Sequence, residues 1–122
     1  MRKSVANIYL SSPIFKVYRM VKVKVAKLSE MPVGSLKQIK LEGRDDIAIA
    51  NVSGKIYAMR GICNHRGGPL GKGKLDGSVI TCPFHGAKWD IKTGKLVEFG
   101  AELESEPIYK TVVTGGDVFV EF

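Results

Sequence analysis

Four side chains able to bind a transition metal stand in two short segments of this 122-residue chain. Cys63 and His65 lie in Cys63-Asn64-His65-Arg66-Gly67-Gly68, and Cys82 and His85 in Cys82-Pro83-Phe84-His85-Gly86-Ala87. They are the entire cysteine and histidine inventory, two of each. Scattered, such residues would read as core filler and incidental surface imidazoles; gathered like this, they read as one site. The spacing is C-x-H, sixteen intervening residues, then C-x-x-H. Each segment therefore offers one thiolate and one imidazole from a tight turn, and two turns brought face to face would present four soft or borderline ligands. Glycines in both segments let the backbone bend sharply and come close to whatever is bound. A structural zinc ion is one occupant to weigh, because Cys2His2 is a common tetrahedral zinc set. Zinc loops usually begin with C-x2-C, and the single-residue gap in C-x-H departs from that habit.

The elements that must carry these turns are strands. Val21-Lys22-Val23-Lys24-Val25 alternates apolar and polar residues, the period of a strand with one wet face. Pro32 and Gly34 end it, Leu36, Ile39 and Leu41 follow, and Gly43-Arg44-Asp45-Asp46 makes a turn. Ile47 to Val52 and Ile56 to Met59 flank Ser53-Gly54 as a hairpin. Further turns at Asp76-Gly77, Lys92-Thr93-Gly94 and Gly115-Gly116 separate Ser78 to Thr81, Leu96 to Phe99, Ile108 to Val113 and Val118 to Phe122. Short β-rich runs with turn signals about every ten residues predict an all-β sandwich or small barrel, with no long helical period. Residues 1–19 fit the pattern poorly and form a basic N-terminal extension, either flexible or adding an edge strand through Ile14 to Tyr18; the strand logic starts after Met20.

Composition narrows the function further. The length suits one domain, and 44% apolar residues suffice for a modest core. No run approaches the roughly 18 apolar residues that a spanning helix needs, so no membrane role is expected. With Met1-Arg2-Lys3 followed by an interrupted apolar stretch and no clean cleavage site, the chain reads as cytoplasmic, where a disulfide between Cys63 and Cys82 would stay reduced. The net charge of +7 is uneven: residues 1–29 carry +7, residues 30–59 balance, residues 60–95 carry +5 and residues 96–122 carry −5. The segment with the Cys/His turns is thus basic by itself. No aromatic-interleaved basic motif accompanies it, so nucleic acid is not the expected partner. The same charges serve as a solvated face, or Arg66, Lys72, Lys74 and Lys88 ring the histidines and steer an acidic partner surface. No activated nucleophile, pair of carboxylates or open metal position suggests an enzyme by itself.

The two segments together resemble the Rieske family, and within it the small Rieske-type ferredoxins that feed aromatic-ring oxygenases; the resemblance runs over residues 20–122. It implies an all-β Rieske fold of antiparallel sheets, a basal β-sandwich with a small cluster-binding subdomain inserted at about residues 60–98. It also implies one [2Fe-2S] cluster, with Cys63 and Cys82 on an inner iron and His65 and His85 on an outer iron at an exposed tip. The implied role is a one-electron carrier between protein partners, from a reductase to an oxygenase or other redox acceptor. The alternative within the family is a small Rieske-like subunit of a larger redox enzyme, of the nitrite reductase type.

The resemblance also locates the reduction potential. A diferric cluster core with two sulfides carries a charge of +2, and two thiolates bring it to neutral where four would leave −2. An electron enters a neutral site more easily, which places the class at roughly −150 to +300 mV. High-potential members add a disulfide cysteine in each loop, at positions matched here by Gly68 and Phe84, and a serine and tyrosine matched by Ala87 and Trp89. Without those donors the expectation is the low end of the range. Trp89 is expected to pack beneath the loops. One departure is that Phe99-Gly100-Ala101-Glu102-Leu103 replaces the proline-rich covering loop common among these ferredoxins.

Overall fold

In the computed structural model, which describes residues 21–122, the period-2 runs become ten strands, and every strand pairing among them is antiparallel. The N-terminal extension and its edge-strand alternative lie outside the described residues. The strands are β1 Lys22–Lys27, β2 Leu36–Ile39, β3 Ile47–Val52, β4 Lys55–Arg60, β5 Lys74–Asp76, β6 Val79–Thr81, β7 Lys88–Asp90, β8 Leu96–Glu98, β9 Ile108–Thr114 and β10 Asp117–Glu121. They form a six-stranded sheet in the order β1-β10-β9-β4-β3-β2 and a four-stranded sheet in the order β5-β6-β7-β8. The smaller sheet is inserted in the chain between β4 and β9, and the larger one forms the base.

The base folds over itself. β3 and β10 are separated by two strands in the sheet, yet Ile47 and Ile49 share one buried cluster with Val118 and Val120. Such contact requires the two halves of the sheet to face each other, which the narrow β4–β9 join allows; only Ala58 with Tyr109 and Met59 with Ile108 pair there. The alternation of β1 is broken by a bulge between Lys24 and Ala26, which lets both Val25 and Ala26 contribute to this core.

β3 is buried along its whole length because both of its faces are covered. Ile47 and Ile49 point into the base, whereas Ala48, Ala50 and Val52 point the other way and join Met59, Leu70, Ile80, Ala87, Trp89 and Ile91. Cys63 and Cys82 belong to that second cluster. The outward face of one base hairpin is therefore the platform on which the inserted sheet and both Cys/His turns are set. Trp89 is fully buried there, as its expected place beneath the loops required.

Two strands escaped the turn-and-run reading. β5 and β7 are three residues each, and Lys74-Leu75-Asp76 and Lys88-Trp89-Asp90 hold one apolar residue apiece. Their strand character comes from pairing on either side of β6 rather than from local pattern.

Candidate metal centre

The two Cys/His segments adopt the same turn. In the first, the Cys63 N–H donates to the Gly68 carbonyl (2.9 Å) and the Gly67 N–H returns to the Cys63 carbonyl (2.8 Å). In the second, Cys82 N–H donates to Ala87 O (2.8 Å) and Gly86 N–H to Cys82 O (3.1 Å). Gly67 and Gly86 occupy equivalent places with φ of 75° and 79°, the left-handed region that a side chain resists. Histidine follows its cysteine by two residues in one turn and by three in the other.

The cysteines are buried, at 2% and 3% exposure, within one apolar cluster, and the Cys63 sulfur lies near enough to the Cys82 thiol to influence it electrostatically. The imidazoles of His65 and His85 stand edge to face with centroids 4.9 Å apart, His65 half-buried and His85 exposed. The four residues thus fall into an inner sulfur pair and an outer nitrogen pair. Among the described residues, no three Cys, His, Asp or Glu side chains converge on a single point as a mononuclear site would require. A two-iron cluster makes a different demand, because each iron takes only two protein ligands.

The local chemistry fits a group bound between these pairs. His65 Nδ1 is buried with no hydrogen-bond partner among the described residues, and a sequestered nitrogen lone pair of that kind suits a metal ion. Burial depresses the His65 pKa below its ordinary value, with His85 and Arg66 adding to the effect, so the ring is held neutral and able to ligate. Burial pushes the Cys82 thiol up and the neighbouring Cys63 sulfur adds to this, while the backbone N–H groups of Phe84 and His85 favour the thiolate. Backbone amides placed in this way stabilise a thiolate or a cluster sulfur.

Gly68 and Phe84 face each other across the gap between the turns. A Cβ on Gly68 would lie 3.2 Å from the Phe84 Cβ, close to the roughly 3.5–4.5 Å that a disulfide places between its Cβ atoms. The same atom would lie 2.6 Å from Cys82 Sγ, so any side chain at 68 would press on that sulfur. Phe84 instead turns outward, 57% exposed beside His85.

Several residues that serve the site carried no signal in the sequence. Phe99 stacks at a tilt on His65, with centroids 4.6 Å apart, so an aromatic ring covers the imidazole where a proline-rich loop was the family habit. Gln38 of β2 donates to Gly61 O (3.0 Å) and accepts from Gly71 N–H (2.7 Å), clamping both ends of the first turn to the base. Glu106, buried just before β9, accepts from Arg60 Nε (3.0 Å) and from the Asn64 backbone N–H (2.7 Å). Of the basic residues singled out for steering, Arg66 lies near enough to His65 to influence it electrostatically, whereas the Lys88 ammonium donates to Thr81 Oγ1 (3.3 Å).

Residues 21–110 match the family model for the Rieske [2Fe-2S] domain. The chain belongs to the Rieske family. It is 36% identical over 98 residues to the ferredoxin CarAc of Metapseudomonas resinovorans, covering 80% of this chain and 91% of that protein. It is 30% identical over 105 residues to the ferredoxin subunit of the 3-phenylpropionate/cinnamic acid dioxygenase of Escherichia coli strain K12, covering 84% and 94%. Among solved structures, the Sphingomonas yanoikuyae B1 ferredoxin superposes with a TM-score of 0.77 at 26% identity, covering 84% of this chain and 99% of that one. A chain from the complex of reduced oxygenase and oxidized ferredoxin in carbazole 1,9a-dioxygenase gives 0.77 at 29% identity, covering 84% and 94%. The fold is the all-β Rieske fold expected from the sequence, and like its relatives this Rieske protein carries one [2Fe-2S] cluster as an electron carrier.

Proposed function

We propose that Cys63 and Cys82 hold the inner iron of that cluster and His65 and His85 the outer iron, and that the chain delivers single electrons to a terminal oxygenase from a reductase. The observation that carries this is the pair of matching turns, which bury two sulfurs together and bring two imidazoles together at the rim. When bound, the cluster supplies a one-electron couple, with a potential in the range of roughly −150 to +300 mV for this ligand type. The chain's own residues do the rest. Trp89 and its apolar neighbours keep water from the sulfur side, Gly68 leaves Cys82 room, and His85 with Phe84 offers an accessible edge to a docked protein. The two relatives above are a ferredoxin and a dioxygenase ferredoxin subunit, which favours the mobile carrier over a fixed subunit of a nitrite-reductase-type enzyme.

The Rieske domain spans residues 20–122, with residues 60–98 as its cluster-binding part and 1–19 as a basic extension. Among the described residues no helix is long and apolar enough to cross a membrane. We place the protein in the cytoplasm, free of membrane and nucleic acid, and docking with an acidic face of its partner through Arg66 and the basic segment around the turns.

Anaerobic reconstitution with iron and sulfide tests the ligand set. The expected product is red-brown, holds two irons and two sulfides per chain, and shows a rhombic electron-spin signal on reduction. Its midpoint is expected at the low end of the class, below about +100 mV. A colourless protein holding one zinc ion would overturn the assignment. Raising ionic strength severalfold should slow electron transfer to an oxygenase, since exposed charges are screened over about 10 Å at 0.1 M salt; a salt-independent rate would remove the acidic docking face.

A further inference from the structure

Glu106 is the one buried carboxylate of the described residues, with its side chain wholly shielded from solvent. A lone buried carboxylate is costly unless its oxygens are matched, and here both are. Oε1 takes the Arg60 Nε–H at 3.0 Å and Oε2 takes the Asn64 backbone N–H at 2.7 Å. Asn64 is the residue between Cys63 and His65. Its side chain is held as well, with Nδ2 donating to Glu104 O (2.7 Å) and Oδ1 accepting from Arg60 Nη2. Arg60, Glu106 and Asn64 therefore close a three-membered ring of hydrogen bonds around the peptide that joins the first two candidate ligands.

The ring is anchored on both sides. The Arg60 N–H donates to Pro107 O (2.9 Å), tying the end of β4 to the segment returning from the inserted sheet. The Glu106 N–H donates to Gly94 O (2.7 Å) in the β7–β8 turn. A Cβ at Gly94 would sit 2.1 Å from Glu106 O, so the two backbones lie in direct contact. Burial raises the Glu106 pKa, whereas the Asn64 amide and Arg60 both favour its charged form.

We propose that Glu106 is a positioning residue for the cluster: it fixes the Cys63–His65 peptide and turns the Asn64 N–H away from sulfur, which holds the reduction potential low. Backbone N–H groups that reach cluster sulfur ease reduction, and an amide committed to a carboxylate is unavailable for that. A buried negative charge against the same loop also opposes the arriving electron. The inference rests on Cys63 and His65 being ligands, and it deepens that reading by naming what sets their geometry.

The test compares the reconstituted full chain with its Glu106→Gln and Glu106→Ala variants by midpoint potential, reduced-state electron-spin spectrum and the half-time of bleaching under an iron chelator. Glu106→Gln keeps one acceptor oxygen, enough for the Asn64 N–H, and loses the charge together with the acceptor for the Arg60 Nε–H. It should shift the midpoint to a more positive value while the bleaching half-time stays within about twofold, because the loop remains tied. Glu106→Ala removes the tie and should bleach at least about tenfold faster, with broadened spectral lines, as loss of an outer-shell partner typically costs 10–100-fold in metal retention. If Glu106→Ala cannot be loaded, the Glu106→Gln midpoint decides alone. A Glu106→Gln midpoint equal to the parent's, or a loaded Glu106→Ala protein that bleaches at the parental rate, overturns the proposal. Failure of the ligand assignment looks different, because the parent chain itself would then take up no cluster.

Discussion

The two Cys/His turns share a hydrogen-bond pattern and differ in what holds them. The first is held from outside: Gln38 clamps Gly61 and Gly71 at its two ends, and Glu106 grips Asn64 at its middle. The second is held from within, by the short β6–β7 ladder beneath it, and its Pro83-Phe84-His85-Gly86 crest is exposed. Both need the same backbone shape, so the difference concerns partners rather than ligands. A turn buttressed by the base sets geometry, and a turn left bare at its crest is free to be touched by another protein.

Removing a cysteine should erase that difference. Cys63→Ser and Cys82→Ser are each expected to abolish the visible absorbance of the reconstituted protein, since neither turn alone offers more than half of the donors. Iron and sulfide content after gel filtration gives the measurement. Retention of a full cluster by either variant would show that the sulfur pair is not what holds it.

Adding a methyl group should restore the difference and sharpen it. Gly68→Ala drives a Cβ to 2.6 Å from Cys82 Sγ, where both the backbone and the core beneath resist movement. Overpacking of this kind costs about 1–3 kcal/mol, and here it falls on a donor atom, so cluster loading should drop severalfold. Gly86→Ala meets nothing within 4 Å but must hold a φ of 79°. Its cost should be about 1–2 kcal/mol of backbone strain with loading nearly unchanged. Urea unfolding of the metal-free chains, set beside their cluster content, separates the two effects. Equal loading of both variants would mean that the contact across the turns is unimportant.

Acid should act on the first turn of the metal-free chain. The His65 pKa is lowered from 6.5 in the folded state, chiefly by burial. The unfolded chain therefore binds more protons between that lowered value and 6.5. Stability contributed by a neutral His65 is full above pH 6.5 and is lost as pH falls through the folded-state value. His65→Asn should flatten this part of the stability profile relative to the parent, as followed by denaturant midpoints across the window. Parallel profiles for the two proteins would break the account of His65 as a sequestered neutral base.

Much of this was legible in the chain because chemistry and turns are local. With two cysteines and two histidines in all, the candidate donors could hardly be missed. Ser53-Gly54 carries positive φ at both residues, 54° and 97°, as a tight hairpin between β3 and β4 requires. What stayed hidden depends on distant pairing. Glu106 is one of four glutamates between 98 and 106, and nothing in that acidic run marks it as the buried one. Its partner Arg60 is 46 residues away and becomes its counter-ion only once β9 is laid against β4. Phe99 reads as the end of a strand, and only the return path of the chain puts its ring on His65.

Phe84 should give the smallest effect on the fold and the most informative one on function. It is 57% exposed, next to the exposed His85, and the core clusters close without it. Phe84→Ala should thus leave the unfolding midpoint within about 0.5 kcal/mol of the parent, as surface substitutions usually do. An exposed aromatic beside an electron-transfer edge is nonetheless the type of residue that anchors a docked protein, because it contributes contact area at little entropic cost. The variant's midpoint potential should stay close to the parent's while its rate of electron transfer to an oxygenase falls several-fold, through weaker association rather than slower chemistry. Stopped-flow traces over a range of acceptor concentrations distinguish the two, since weakened docking raises the half-saturating concentration and spares the plateau. An unchanged concentration dependence would move the main apolar contact off the crest of the second turn, leaving Arg66 and the basic segment around the turns to carry the docking.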